Sequence, residues 1–189
     1  QNIDETDYFI SDKNIPNGLA DKYDYYITGS DQVWNSTYGR LSELDFLTFA
    51  EKHKRIAFAP SFGISKIKPE LVENYKEWIS EMHRLSVRED DGAKIIKELT
   101  GRDAPVLVDP TLLLTKEQWL SISKEASNKP KNKYLLTYFL GKISKKYEKK
   151  IKAIAKVNNL KIVNLVDIND PETYQTGPSE FIDYINSAN

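Results

Sequence analysis

The sequence predicts an α/β fold built on parallel sheet, and three observations carry that prediction. Short β-favouring apolar runs alternate with amphipathic stretches along most of the 189 residues, the pattern of buried strands separated by covering helices. The early runs stop abruptly at Gly29, Pro60, Arg88 and the Asp109-Pro110 pair, as strands do where they give way to loops. A composition that is 40% hydrophobic and 11% aromatic can build a core, which sets aside collagen-like and disordered chains.

In order, Tyr25–Thr28 reads as a first strand ending at Gly29, and Arg55–Ala59 as a second, stopped by Pro60 and followed by Ser61-Phe62-Gly63. Pro69 to Met82 follows as a helix. Proline suits its first turn, and Leu71, Tyr75, Trp78, Ile79 and Met82 recur at helical spacing. Leu85–Val87 is a third short strand. Asp90 opens a helix with Ala93, Ile96 and Leu99 on one face, ended by Gly101. Pro105–Val108 is a fourth strand, and residues 116–124 form a further helix.

The polar run 127–133, Ser-Asn-Lys-Pro-Lys-Asn-Lys, has no apolar residue and reads as a linker. It divides the chain into a first domain over 1–126, incomplete at its start, and a partial second domain over 134–189. In the second, Tyr134–Phe139 is a strand ended by Gly141, and Ser144–Val157 a helix striped by Tyr147, Ile151, Ile154 and Ala155. Residues 161–166 form another strand, and Pro178–Ser187 another helix carrying Phe181, Ile182 and Ile185. A parallel sheet calls for a strand after that helix, so the chain reads as cut there as well as at its start.

There are 27 Lys+Arg against 28 Asp+Glu, a net charge of −1, and no cysteine. That excludes disulfides, thiol nucleophiles and cysteine-ligated zinc, and gives no reason to expect nucleic acid as a partner. Split at residue 126, the charge becomes 16 basic and 22 acidic side chains before and 11 basic and 6 acidic after. Solvated helix faces account for this; domain docking, or a cleft with one positive wall, is the alternative. No stretch approaches the roughly 20 apolar residues of a transmembrane helix, and the polar start is no signal peptide, so a cytoplasmic location is expected. No metal constellation, P-loop or GxGxxG motif occurs. His53 and His83 read as surface residues. Asn35-Ser36-Thr37 matches the glycosylation acceptor pattern by chance.

Ligands of open α/β sheets bind beyond the carboxyl ends of the strands, which directs attention to Gly29–Trp34, Ser61–Gly63, Arg88-Glu89 and Asp109–Thr111. Gly29 permits close backbone approach or positive φ. Ser30, Asp31 and Gln32 set polar groups directly after a strand, and Trp34 offers a face for a sugar. Equally, Asp31 can cap a following helix and Trp34 can fill core. Arg88 presents a planar fork suited to phosphate or carboxylate, or else pairs with Glu89 or Asp90. Asp109-Pro110-Thr111 reads as a structural Asx-type turn.

Together and in this order, the segments Tyr26–Asn35 (YITGSDQVWN), Ala57–Gly63 (AFAPSFG), Leu85–Gly92 (LSVREDDG) and Val108–Leu114 (VDPTLLL) resemble the polysaccharide pyruvyl transferase family, over about residues 20–189. The resemblance implies a GT-B-like fold of two Rossmann-like parallel-sheet domains facing across a cleft. It implies transfer of pyruvate from phosphoenolpyruvate onto hydroxyls of a saccharide or lipid-linked saccharide, as a ketal, in bacterial polysaccharide biosynthesis. No cofactor is implied. Arg88 then binds the donor, Asp31 acts as base toward, or orients, an acceptor hydroxyl, and Ser30, Gln32, Trp34, Ser61 and Gly63 line the substrate site. The family's Gly-rich first strand is not found before Tyr25, and its histidine motif would lie after Asn189. The 189 residues alone are therefore expected to be inactive. Two rival functions remain: a GT-B glycosyltransferase using a nucleotide-sugar, and a non-catalytic carbohydrate-binding protein of the same fold.

Overall fold

Parallel pairing is what the short apolar runs achieve in each half of the chain. The computed structural model describes residues 9–39, 41–165 and 176–188. It divides into two compact units, Gln1–Leu113 and Leu114–Asn189.

In the first unit a short helix α1 (Leu19–Lys22) precedes β1 (Tyr26–Thr28), which runs parallel to β2 (Arg55–Ala57) with Tyr26 opposite Arg55 and Thr28 opposite Ala57. The ladder stops two residues before the end of the predicted strand. Ala59 adopts φ 50, and Pro60 has no amide proton to donate. The strands predicted at Leu85–Val87 and Pro105–Val108 are extended segments held by single parallel bridges, Ile56 to Arg84 and Val87 to Val106. Backbone bonds join the segments, Ala57 N to Arg84 O at 2.9 Å and Ser86 N to Ala57 O at 3.0 Å, and the Ser86 hydroxyl adds to them, donating to Ala57 O at 2.8 Å and accepting from Ala59 N at 2.9 Å. The order across the sheet is thus β1, β2, residues 84–87 and residues 105–107.

Two helices cover one face. After a 3-10 turn at Pro69–Leu71, helix α2 (Val72–Ser80) buries Tyr75 and Ile79, and α3 (Asp90–Thr100) buries Gly92, Ile95 and Ile96. Gly101, at φ 72, closes α3 in the left-handed conformation that glycine adopts without strain. The core joins these to Trp34, Phe46, Phe62, Met82 and Val87. The Tyr75 hydroxyl donates to Trp34 O at 2.8 Å, and burial pushes its pKa up to about 12. Arg55 is also buried, with a partner for each guanidinium nitrogen: it donates to Ala50 O, Thr48 O and Glu81.

The second unit begins with α4 (Lys116–Ser121), fixed by a capping box in which Gln118 N donates to Thr115 Oγ1 and Thr115 N to Gln118 Oε1. Strands β3 (Tyr134–Tyr138) and β4 (Lys161–Leu165) pair in parallel, Tyr134 opposite Lys161. Helix α5 (Lys145–Val157), N-capped by Ser144, connects them, and α6 (Pro178–Ser187) completes the unit. The predicted stripe on α5 is only partly buried: Ala155 is covered, whereas Tyr147 and Ile154 are exposed. Val166, the last residue of the predicted strand, lies outside the described residues.

The polar run 127–133 belongs to this second unit. Lys129 Nζ lies 2.6 Å from Asp183 Oδ2, with both side chains largely covered, and Ala126 N donates to Asp183 Oδ2 at 2.9 Å. Burial works against the Asp183 carboxylate, but Lys129, the Ala126 amide and Ser187 together hold its pKa below the ordinary value. The Lys-rich face of α5 is solvent-exposed.

Candidate active site

The carboxyl ends of the parallel segments meet at Gly29, Arg88 and Asp109. Gly29 has φ 132, and a Cβ there would fall 2.0 Å from Phe58 O, so both the conformation and the space require glycine. The Gly29–Ser30 peptide is cis. Beyond it, Ser30 Oγ donates to Asp109 Oδ2 at 2.7 Å. Arg88 NH1 donates to the same oxygen at 2.9 Å, while its NH2 stands 3.8 Å from Asp31 Oδ1.

The other Asp109 oxygen, Oδ1, accepts from Thr111 N at 3.0 Å and Thr111 Oγ1 at 2.8 Å. These donors fill the roughly four acceptor directions of a carboxylate. They hold the Asp109 pKa well below the usual carboxylate range, the Ser30 hydroxyl most of all, then Thr111 and Arg88. Asp109 is therefore an ionised acceptor and not a proton carrier. The Asx turn anticipated for this motif is present on one oxygen, and the other oxygen joins two strand exits that lie far apart in sequence. Arg88 pairs with Asp109 and Asp31, not with its neighbours Glu89 and Asp90.

Asp31 caps no helix: its Oδ1 accepts from Gln32 N at 2.8 Å, and its side chain is 92% exposed. Ser30, Asp31 and Arg88 thus come together at one accessible place, with Arg88 partly exposed.

The remaining candidates build the scaffold beside it. Trp34 corrects the expectation of a sugar-stacking face, because it is 0% exposed. Its indole stacks on Phe46 at 5.0 Å and donates to Asp45 O. Ser61 is buried and its hydroxyl accepts from Gly63 N at 3.1 Å. Glu89 Oε1 accepts from Phe62 N at 2.7 Å and Gly63 N at 3.3 Å, so those amides are already engaged. Gly63 has φ 59, and a Cβ there would collide with the side chains of Gln32 and Asn35. Gln32 Oε1 accepts from Asn35 Nδ2 and the Tyr38 hydroxyl.

Asp109 and Glu89 lie in the segments that the sequence singles out, but the sequence reads Asp109 as a structural turn residue and Glu89 as a pairing partner of Arg88, not as members of the site. Both sit at strand exits, which is the signal that marks them. The histidines are elsewhere: His53 precedes β2 and His83 precedes the 84–87 segment, at the amino ends of the parallel segments. Among the described residues no group of three or more His, Asp or Glu is arranged to hold a metal ion.

One guanidinium anchored by a carboxylate, with a second nitrogen beside a solvent-exposed aspartate, is suited to bind an anion next to a hydroxyl-bearing molecule. A family model described as polysaccharide pyruvyl transferase matches residues 1–189. Comparison with curated proteins and with solved structures returns no match.

Proposed function

From the premise that this chain belongs to the polysaccharide pyruvyl transferase family, and is thereby a transferase of the pyruvyl type in polysaccharide biosynthesis, we propose that phosphoenolpyruvate is its donor, a saccharide or lipid-linked saccharide its acceptor, and Arg88 the cation that holds the donor. The observation that carries the reading is the position of Arg88, at the carboxyl end of the parallel segments and fixed by one nitrogen on Asp109.

The chemistry needs a proton at the methylene carbon of the enol phosphate and charge stabilisation as C2 becomes cationic. One acceptor hydroxyl adds to C2 and loses its proton. Phosphate then leaves with the C–O bonding pair, and the second hydroxyl closes the ketal, losing its own proton. Arg88 binds the phosphate or carboxylate and disperses negative charge on the departing phosphate. Asp31, exposed and beside Arg88, orients an acceptor hydroxyl or takes its proton. Ser30, held on Asp109, lines the same edge. Neither histidine is given the methylene proton, since both lie at the far ends of the strands.

The two parallel-sheet units are read as Rossmann-like domains of a GT-B-like fold, the architecture the family supplies. No helix among the described residues is long and apolar enough to cross a membrane; a cytoplasmic location is the matching proposal.

The test is a donor assay on the full-length protein. Phosphate release with a mass gain of pyruvate on the acceptor is expected, and nucleotide release from a nucleotide-sugar would sink the reading in favour of glycosyl transfer. Arg88→Ala should lower kcat/KM for phosphoenolpyruvate by about 100-fold or more, the scale of a lost charge-assisted contact to an anion. Unchanged turnover would remove Arg88 from the site.

A further inference from the structure

We infer that Asp109 is the positioning residue of this site: it fixes Arg88 by one guanidinium nitrogen and Ser30 by its hydroxyl, so that the second guanidinium nitrogen is presented to the donor anion. The inference rests on the reading of Arg88 as the donor clamp and adds the group that sets the clamp's geometry.

An arginine side chain is long and rich in rotamers, so an unrestrained one must be ordered each time it binds. Asp109 is itself hydrogen-bonded through both carboxylate oxygens. Thr111 holds Oδ1 through both its amide and its hydroxyl, and Pro110 stiffens the chain that follows. Its other oxygen, Oδ2, then receives Ser30 at 2.7 Å and Arg88 NH1 at 2.9 Å.

With every acceptor direction used, Asp109 has nothing left to offer a substrate, and it acts through Arg88. The NH2 edge is different. Its neighbour Asp31 is 3.8 Å away, on a side chain 92% exposed to water. Such a contact is loosely held. An incoming phosphate or carboxylate takes the place of Asp31 on NH2 and leaves the Asp109 contact on NH1 intact. Arg88 is thereby divided between a permanent partner and an exchangeable one. The displaced Asp31 stays beside the bound donor, where an acceptor hydroxyl must arrive.

The test measures full-length protein with phosphoenolpyruvate varied, together with nitrogen-resolved NMR of the Arg88 guanidinium. Asp109→Asn keeps the size of the side chain and its turn-forming oxygen but removes the charge. It should raise KM for phosphoenolpyruvate about tenfold while kcat changes less than about threefold, with a smaller rise for Ser30→Ala. Asp109→Asn added to Arg88→Ala should cost nothing beyond Arg88→Ala alone. Guanidinium rotation should be slow in the wild type and fast in Asp109→Asn.

An unchanged KM in Asp109→Asn, or losses that add in the double variant, overturns the inference. If Arg88→Ala itself leaves KM unchanged, the donor-clamp reading is what fails. The Asp109 anchor is then judged on the NMR signal: restraint in the wild type alone upholds it, and averaging in both proteins overturns it. Should Asp109→Asn not fold, Arg88→Lys tests the same geometry, because one ammonium cannot serve both partners from a fixed fork. A rise in KM approaching that of Arg88→Ala upholds the anchor, and a wild-type KM overturns it.

Discussion

At the scale of single residues, the site is decided by how few choices Gly29 and Asp109 leave. A methyl group on Gly29 would collide with the Phe58 carbonyl at 2.0 Å, and the backbone there is at φ 132. Gly29→Ala should therefore cost about 3 kcal/mol or more, from strain and overpacking together, seen as a lowered urea midpoint. Asp109 makes a pH prediction. Its folded pKa is depressed by Ser30, Thr111 and Arg88, against about 3.9 for an unfolded aspartate. The stability it contributes is thus complete above pH 4 and is lost progressively as pH falls toward the folded value. Urea titrations of wild type and Asp109→Asn should differ most near neutrality and converge as pH drops below about 4; a gap that widens on acidification would contradict the assignment. Legibility in sequence was uneven at this scale. Gly29 and Arg88 stand out because each interrupts an apolar run. Asp109 reads in sequence as a turn residue, since an Asx turn and an ion pair use different oxygens of one carboxylate and only the first partner is local.

Elements carry the second lesson. The helices α2, α3, α5 and α6 follow from apolar spacing and from proline, acidic or capping residues at their starts, all of which act within a turn or two. The short strands were legible as extended apolar runs, but their ladder lengths were not. At 84–87 backbone bonds such as Ala57 N to Arg84 O and Ser86 N to Ala57 O are joined by the Ser86 hydroxyl, which reaches Ala57 and Ala59 across the sheet. Ile96, fully buried on α3, ties that helix to the sheet. Ile96→Ala should cost about 2–5 kcal/mol, measured by chemical denaturation. In the second unit, Lys129→Ala leaves Asp183 with less compensation in a site where both side chains are under one-fifth exposed. About 2 kcal/mol is expected, below the 3–5 kcal/mol of a fully buried pair. An effect near zero would show that the Lys129–Asp183 pair does not tie residues 127–133 to α6.

For the whole molecule, two parallel-sheet units each have their own core, one around Trp34, Phe46, Tyr75 and Ile96, the other around Tyr134, Val163, Leu165 and Tyr184. Hydrogen exchange should reflect this. Ile96→Ala is expected to accelerate exchange mainly in the unit ending at Leu113, and Lys129→Ala mainly in the unit after it. Composition and alternation were enough to establish the α/β class and the parallel pairing, because both depend on near-neighbour periodicity. The order of strand-exit segments was enough to indicate the family. Tertiary structure alone decided which of those exits work together. Trp34 and Ser61 turn inward because the core needs an aromatic and the turn needs a hydroxyl. Glu89 takes the Phe62 and Gly63 amides, and Asp109 gathers Ser30 and Arg88. These are contacts between segments remote in sequence, and no local pattern encodes which of two chemically suitable partners a side chain meets.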